Sequence, residues 1–172
     1  MAHASIDKPS DWVVRWAPLV KAGPVLDVAA GGGRHARFFA ARGLQVVAVD
    51  KEAQSIPGVE FVKADLEDGS PWPFAGRVFG AIVVTNYLHR PLTPLLAGSV
   101  APGGVLIYET FMAGNEKFGK PSNPAFLLRP GELLQAFATL TVVAFEQGTT
   151  ASAVVQRLCA VRGEASSVRI AA

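Results

Sequence analysis

Three aspartates among the first 65 residues carry the clearest chemical signal in this 172-residue sequence. Asp27 lies inside the apolar run Val25-Leu26-Asp27-Val28, which passes through Ala29-Ala30 into Gly31-Gly32-Gly33. Glycines let a backbone approach a ligand closely, and free N–H groups at the start of a following helix favour negative charge. Asp50 closes a second apolar run, Val46-Val47-Ala48-Val49, where a carboxylate can accept both hydroxyls of a ribose. Asp65 follows a third run over residues 59–63. Acidic groups at the tips of three successive strands point to a site for an adenosine-containing cofactor.

The glycines alone do not decide which cofactor. Gly31-Gly32-Gly33-Arg34-His35-Ala36 also fits the degenerate G-x-G-x-x-G/A fingerprint of nicotinamide and flavin enzymes. Asp27 is more selective, because an unpaired carboxylate inside an apolar strand is expensive. It calls for a cation or several donors nearby, and the ammonium of an aminoacyl group would serve. Residues 25–33 resemble the first motif of the class I S-adenosylmethionine-dependent methyltransferases, roughly V-L-D-x-G-x-G-x-G. Ala29 departs from it by replacing the first glycine, which a negative φ there would accommodate.

That resemblance implies a set of cofactor contacts. The turn with Ala29, Ala30, Gly31 and Gly33 meets the methionine end of S-adenosylmethionine, with Asp27 oriented toward its amino group. Asp50 holds the ribose with Lys51 beside it. Asp65 accepts from the adenine amino group while Ala64 and Leu66 flank the ring, and Asn86 and Tyr87 line the methyl donor. The reaction is an in-line displacement, for which alignment alone can supply about 7–11 kcal/mol. A base is needed only if the acceptor arrives protonated. His89 leads the candidates, followed by Glu109 and Glu116, while Arg90 or Arg34 could clamp an anionic acceptor. No metal site is expected.

The motif after the fourth strand narrows the acceptor. Adenine and cytosine amino methyltransferases carry Asn/Asp-Pro-Pro-aromatic there, whereas this chain has Asn86-Tyr87-Leu88-His89. Asn123-Pro124-Ala125-Phe126 looks similar but follows the fifth strand, so it reads as loop architecture. A small-molecule acceptor is therefore expected. An RNA methyltransferase and a non-catalytic adenosylmethionine-binding protein remain as alternatives. The chain is similar, more loosely, to small bacterial methyltransferases of the tellurite-resistance type. A nicotinamide-dependent reductase is disfavoured by Asp27 and Asp65, and no residues remain for its substrate domain.

These residues need a parallel sheet to position them. The expected elements are a helix over residues 10–21 interrupted at Pro18, and strands at 25–28, 45–50, 59–63, 78–85 and 105–110. A final antiparallel pair covers 141–146 and 153–161. Helices are expected over 34–42, 91–99 and 130–137. Residues 51–58 allow about two helical turns at most. Residues 67–76 are too rich in Pro and Gly for a helix, so Trp72 and Phe74 cover the sheet instead. The resemblance then implies a Rossmann-like α/β fold with a seven-stranded, mostly parallel sheet. Its order is 3-2-1-4-5-7-6, with the last strand antiparallel and the helices after strands 2 and 3 reduced. The irregular stretch 111–130, with Phe111, Phe118, Glu116 and Phe126, reads as a lid over the acceptor or as a static Ω-loop.

Composition sets the remaining bounds. A chain of this length is one domain, 1–172, with a loose tail from about residue 163. Half its residues are hydrophobic and 17% are charged, which excludes a disordered chain. The net charge of +2 makes no case for nucleic acid. One cysteine, Cys159, fits a reducing compartment and a buried, inert thiol. The first eight residues lack a secretion signal, and no apolar run approaches the length of a membrane span. A cytoplasmic protein, monomeric or dimeric, is expected.

Overall fold

The computed structural model describes residues 7–172, so residues 1–6 of the leader-free N-terminus expected above lie outside the described residues. Strands β1 (Val25–Val28), β2 (Val46–Asp50), β3 (Val59–Lys63), β4 (Phe79–Thr85), β5 (Val100–Phe111), β6 (Thr141–Thr149) and β7 (Val154–Val161) form one sheet. Its order is β3-β2-β1-β4-β5-β7-β6. All neighbours are parallel from β3 to β5, and β7 runs antiparallel between β5 and β6. This is the order expected from the resemblance. The register sets Val28 beside Val49 and Val84, so the carboxyl ends of β1, β2 and β4 finish level with one another.

Alternation along the strands divides the core into two layers. Leu26, Val28, Ile82, Val84, Leu106 and Tyr108 face α3 (Thr93–Ser99) and α4 (Glu132–Ala136). Val25, Ala48, Ala81, Val83 and Ile107 face α1 (Asp11–Trp16) and α2 (Arg34–Ala40). The continuous apolar sequence of β4 follows from burial on both faces. Gly80 is required within it, since a Cβ there would fall 1.8 Å from the Ala22 carbonyl oxygen.

Several boundaries differ from the expectation. The helix expected over 10–21 ends at Trp16, capped by the Ser10 hydroxyl, and continues as a 3₁₀ turn over Ala17–Leu19, where Pro18 has no N–H to extend it. No helix forms in residues 51–58. β5 begins five residues before the expected 105, at Val100, because the Pro102-Gly103-Gly104 turn stays in the sheet through Gly103 N–H donating to the Arg162 carbonyl. β6 runs on through Gly148, so the hairpin turns at 150–153 instead. Beyond residue 163 the chain carries a 3₁₀ turn, Ala165–Ser167, and Val168 packs on the α1/α2 layer.

The segment that replaces a crossover helix after β3 covers the sheet with aromatic rings. Phe74 is fully buried, edge-on to Trp72 at 5.1 Å and to Phe79 at 5.5 Å between centroids. Trp72 Nε1 donates to Ser99 Oγ of α3 at 3.3 Å. Phe74→Ala should lower unfolding free energy by about 3–5 kcal/mol in urea titrations; a loss below about 1 kcal/mol would show that this segment does not seal the sheet.

Candidate active site

The turn between β1 and α2 is held by two carboxylates. Asp27 faces the α1/α2 layer, and its Oδ2 accepts from Ala36 N–H in the first turn of α2 at 3.0 Å. Asp50, at the tip of β2, accepts from Gly31 N–H at 2.8 Å and from Glu52 N–H at 2.9 Å. Thus amides that the glycine pattern offered to an external anion are already taken by the protein. Gly33 (φ 81°) is needed at the foot of α2, where a Cβ would meet Ile56 Cδ1 at 2.4 Å. Gly31 and Gly32 face open space, as a surface left free for a ligand would.

Ala29 departs from expectation. Its φ is +54°, in the left-handed region, so the negative value that would have accommodated its methyl group is not adopted. The turn geometry that glycine usually serves is kept, and the side chain bears the strain. Asn86, at the tip of β4, also has φ +54°, with its N–H donating to the Glu109 carbonyl.

A cleft of about 410 Å³ opens beyond the carboxyl ends of the strands. On the β2/β3 side it is lined by Ala29, Asp50, Lys51, Ala64, Asp65, Leu66 and Glu67. Asn86 and Tyr87 stand in the middle, and Leu88, Thr110, Phe111, Pro121 and Phe126 form the far side. Of the cofactor residues expected, Ala29, Asp50, Lys51, Ala64, Asp65, Leu66, Asn86 and Tyr87 come together on this cleft. Asp27, Ala30, Gly31 and Gly33 form the turn behind it. Asp65 also accepts from Glu67 N–H at 2.9 Å, a turn-capping bond that leaves its second oxygen free. Burial pushes the Tyr87 phenol well above its ordinary value, and the charges of Glu67, Asp65 and Asp50 push it further. It is a neutral donor at any physiological pH.

The ionisable candidates lie elsewhere. Glu109 is enclosed on the α1/α2 side, paired with Arg157 and accepting from Ser10 Oγ at 2.6 Å. Glu116 accepts from Gly114 N–H at 2.9 Å, and His89 stands behind Glu67, with Nδ1 at 3.4 Å from Oε1. None of the three lines the cleft. Arg90 is committed to Glu132 and to the carbonyls of Ala125 and Leu127, so it anchors the 111–130 segment and is not open to an anionic acceptor. Arg34 donates to the Lys8 carbonyl. The neck of that segment is closed by Ala113 N–H to Leu128 O and Leu128 N–H to Phe111 O. Phe111, Pro121 and Phe126 reach the cleft from it, whereas Phe118 does not. Sequence reasoning missed Glu67 and Leu88 as cleft residues; each lies one or two residues beyond a residue expected to hold the cofactor, which was the available signal.

The sheet order is that of the class I S-adenosylmethionine-dependent methyltransferase fold. Residues 6–68 match the family model described as tellurite resistance protein TehB. Over 113 residues the chain is 30% identical to a trans-aconitate 2-methyltransferase of Paracidovorax citrulli, a match covering 58% of this chain and 43% of that protein. Among solved structures, TehB from Haemophilus influenzae superposes with a TM-score of 0.69 at 16% identity, over 88% of this chain and 61% of that one. The glycopeptide N-methyltransferase MtfA, complexed with S-adenosylhomocysteine, gives 0.58 at 18%, over 87% of each chain. The chain thus spans less than two thirds of the length of the first two relatives.

Two predictions concern the turn. Glycine pays no steric penalty at positive φ, whereas an L-residue there is strained by about 1–2 kcal/mol; part of that gain is offset by the unfolded-state entropy of glycine, about 0.4–1 kcal/mol. Ala29→Gly should therefore stabilise the protein by roughly 0.5–1 kcal/mol in denaturant unfolding, and a destabilised variant would refute the strain. Asp27 is raised from 3.8 to about 7 by burial, against the lowering effect of the Ala36 N–H. A carboxyl raised in the folded state binds more protons there, so its contribution to stability falls as pH rises from 3.8 to 7. Asp27→Asn should gain on the parent across that window in unfolding series, and a pH-independent difference would refute the shift.

Proposed function

We propose that this chain is an S-adenosylmethionine-dependent methyltransferase acting on a small molecule. The observation that carries this reading is the carboxylate chemistry of Asp50 and Asp65 on one cleft, with Asp27 buried in β1 behind it. Asp27 Oδ1 has no partner among the described residues, which suits an ammonium. Asp50 keeps lone pairs facing the cleft for ribose hydroxyls, and Asp65 keeps an oxygen for an adenine amino group. A dinucleotide's pyrophosphate suits this turn poorly, because Asp27 and Asp50 occupy its amides and would repel a second anion. The cleft volume is also that of a small-ligand site.

When bound, S-adenosylmethionine supplies an electrophilic methyl carbon: the acceptor's lone pair forms the new bond while the carbon–sulfur pair leaves on sulfur. The chain's own contribution is alignment. Asn86 and Tyr87 sit where the two halves of the cleft meet. Tyr87 is itself fixed by the Tyr108 hydroxyl, which donates to its carbonyl at 2.8 Å. Phe111, Pro121 and Phe126 exclude water on the far side. No helix among the described residues is long and apolar enough to cross a membrane. The buried Cys159 thiol, pushed up to about 12 by burial, suits a reducing, cytoplasmic setting.

Calorimetry with adenosylmethionine, adenosylhomocysteine and NADH tests the reading. The first two should bind and NADH should not. Asp50→Ala should weaken adenosylhomocysteine by about 1.5–3 kcal/mol, the range for hydrogen bonds to a charged group, with the fold checked by circular dichroism. NADH binding, or unchanged affinity in the folded variant, would overturn it.

A further inference from the structure

Charge is divided unevenly across the cleft. Its carboxylates, Asp50, Asp65 and Glu67, and its single cation, Lys51, all stand on the β2/β3 side. The far side is built from Leu88, Phe111, Pro121 and Phe126, with Thr110 between them, and holds no charged side chain among the described residues. Arg90, the cation tied to this loop, has its guanidinium held by Glu132 and two carbonyls.

From this arrangement we infer that the acceptor is an uncharged, apolar aromatic molecule, seated between Phe111, Pro121 and Phe126. The inference rests on the methyltransferase reading above and adds the acceptor class to it. An anionic acceptor would lose its hydration here with no cation to replace it, and would face the carboxylates across the cleft. When a neutral lone pair takes the methyl group, the positive charge passes from sulfur to the acceptor, and the carboxylates of Asp50, Asp65 and Glu67 on the same cleft oppose it with negative charge. No base is required of the cleft, consistent with His89, Glu109 and Glu116 all lying outside it. Carboxylates such as the trans-aconitate named for the curated relative are therefore excluded by this pocket. Side chains Phe111 and Phe126 offer rings to a flat ligand, and aromatic pairing favours such a partner.

The test separates this inference from the reading beneath it. Adenosylhomocysteine is first titrated into the protein, and absence of binding overturns both. The loaded protein is then titrated with quinoline, with quinoline-4-carboxylate, which has the same skeleton and a negative charge, and with trans-aconitate. Quinoline should bind at least 10-fold more tightly than either anion. Phe126→Ala should weaken quinoline 5-fold or more while adenosylhomocysteine changes less than 2-fold. Because Phe126 is 48% exposed, an arginine fits there without disturbing the core, and Phe126→Arg should raise the affinity for quinoline-4-carboxylate at least 10-fold. Anions that bind as tightly as quinoline, or no binding of quinoline to the loaded protein, would overturn the acceptor class and leave the cofactor reading standing.

Discussion

The β1–α2 turn can be held where it is because two carboxylates satisfy it from opposite sides. Asp27 takes the Ala36 N–H from inside the sheet, and Asp50 takes the Gly31 N–H from the tip of β2. Each bond solves two problems, since it pairs a costly carboxylate and an orphan amide of a turn or helix start. The turn fixes where β1 and β2 end, and the shared register with β4 carries that edge to Asn86. The cleft exists because these ends are level. Ala29 shows how strongly the geometry is imposed: the backbone keeps a left-handed turn even with a methyl group on it.

What could be read from the sequence follows from the range of the interactions involved. Strand existence was legible because burial on both faces leaves apolar runs such as residues 79–85, whereas the strand order came from the resemblance carried by residues 25–33. Boundaries were less legible where a turn signal stays inside a ladder, as at Gly103 and Gly148, since cross-strand hydrogen bonds there outweigh local preference. Roles of ionisable residues were the least legible. Glu109 looks poised for chemistry at the end of β5, but its partners are Ser10 and Arg157, 99 and 48 residues away. Arg90 looks free until Glu132 folds against it. The cofactor side of the cleft could be anticipated from motifs. For the far side the 111–130 segment could be named but not its lining residues, because Phe111, Pro121 and Phe126 meet only after that segment closes at its neck.

The same long-range pairing explains how the N-terminal helix is docked. Ser10 N–H donates to His35 Nε2 at 3.0 Å, so the neutral ring carries its proton on Nδ1, which faces Thr85 Oγ1 at 3.4 Å. Burial, with the nearby charge of Arg34, lowers His35 from 6.5 to about 4, and it stays neutral at physiological pH. Ser10 Oγ donates onward to Glu109, whose other oxygen meets Arg157, which also bonds Glu146 and through it Arg15 of α1. One chain of contacts therefore ties α1 to β5, β6, β7 and α2.

That chain consumes the groups which might otherwise act as acids or bases near the strand tips. His35 and Glu109 serve the α1/α2 layer, and Glu132 and Arg90 serve the loop on the opposite face. What is left facing the cleft is a set of carboxylates on one side and an apolar wall with one hydroxyl on the other. Its ionisable groups, Asp50, Lys51, Asp65 and Glu67, all stand on one side, and the far wall offers alignment and exclusion of water. For displacement at a good leaving group this division is sufficient, because holding the reactants in line can supply about 7–11 kcal/mol without any proton moving. The placement of His35, Glu109, Glu132 and Arg90 in docking, away from the cleft, is thus consistent with a reaction that depends on geometry.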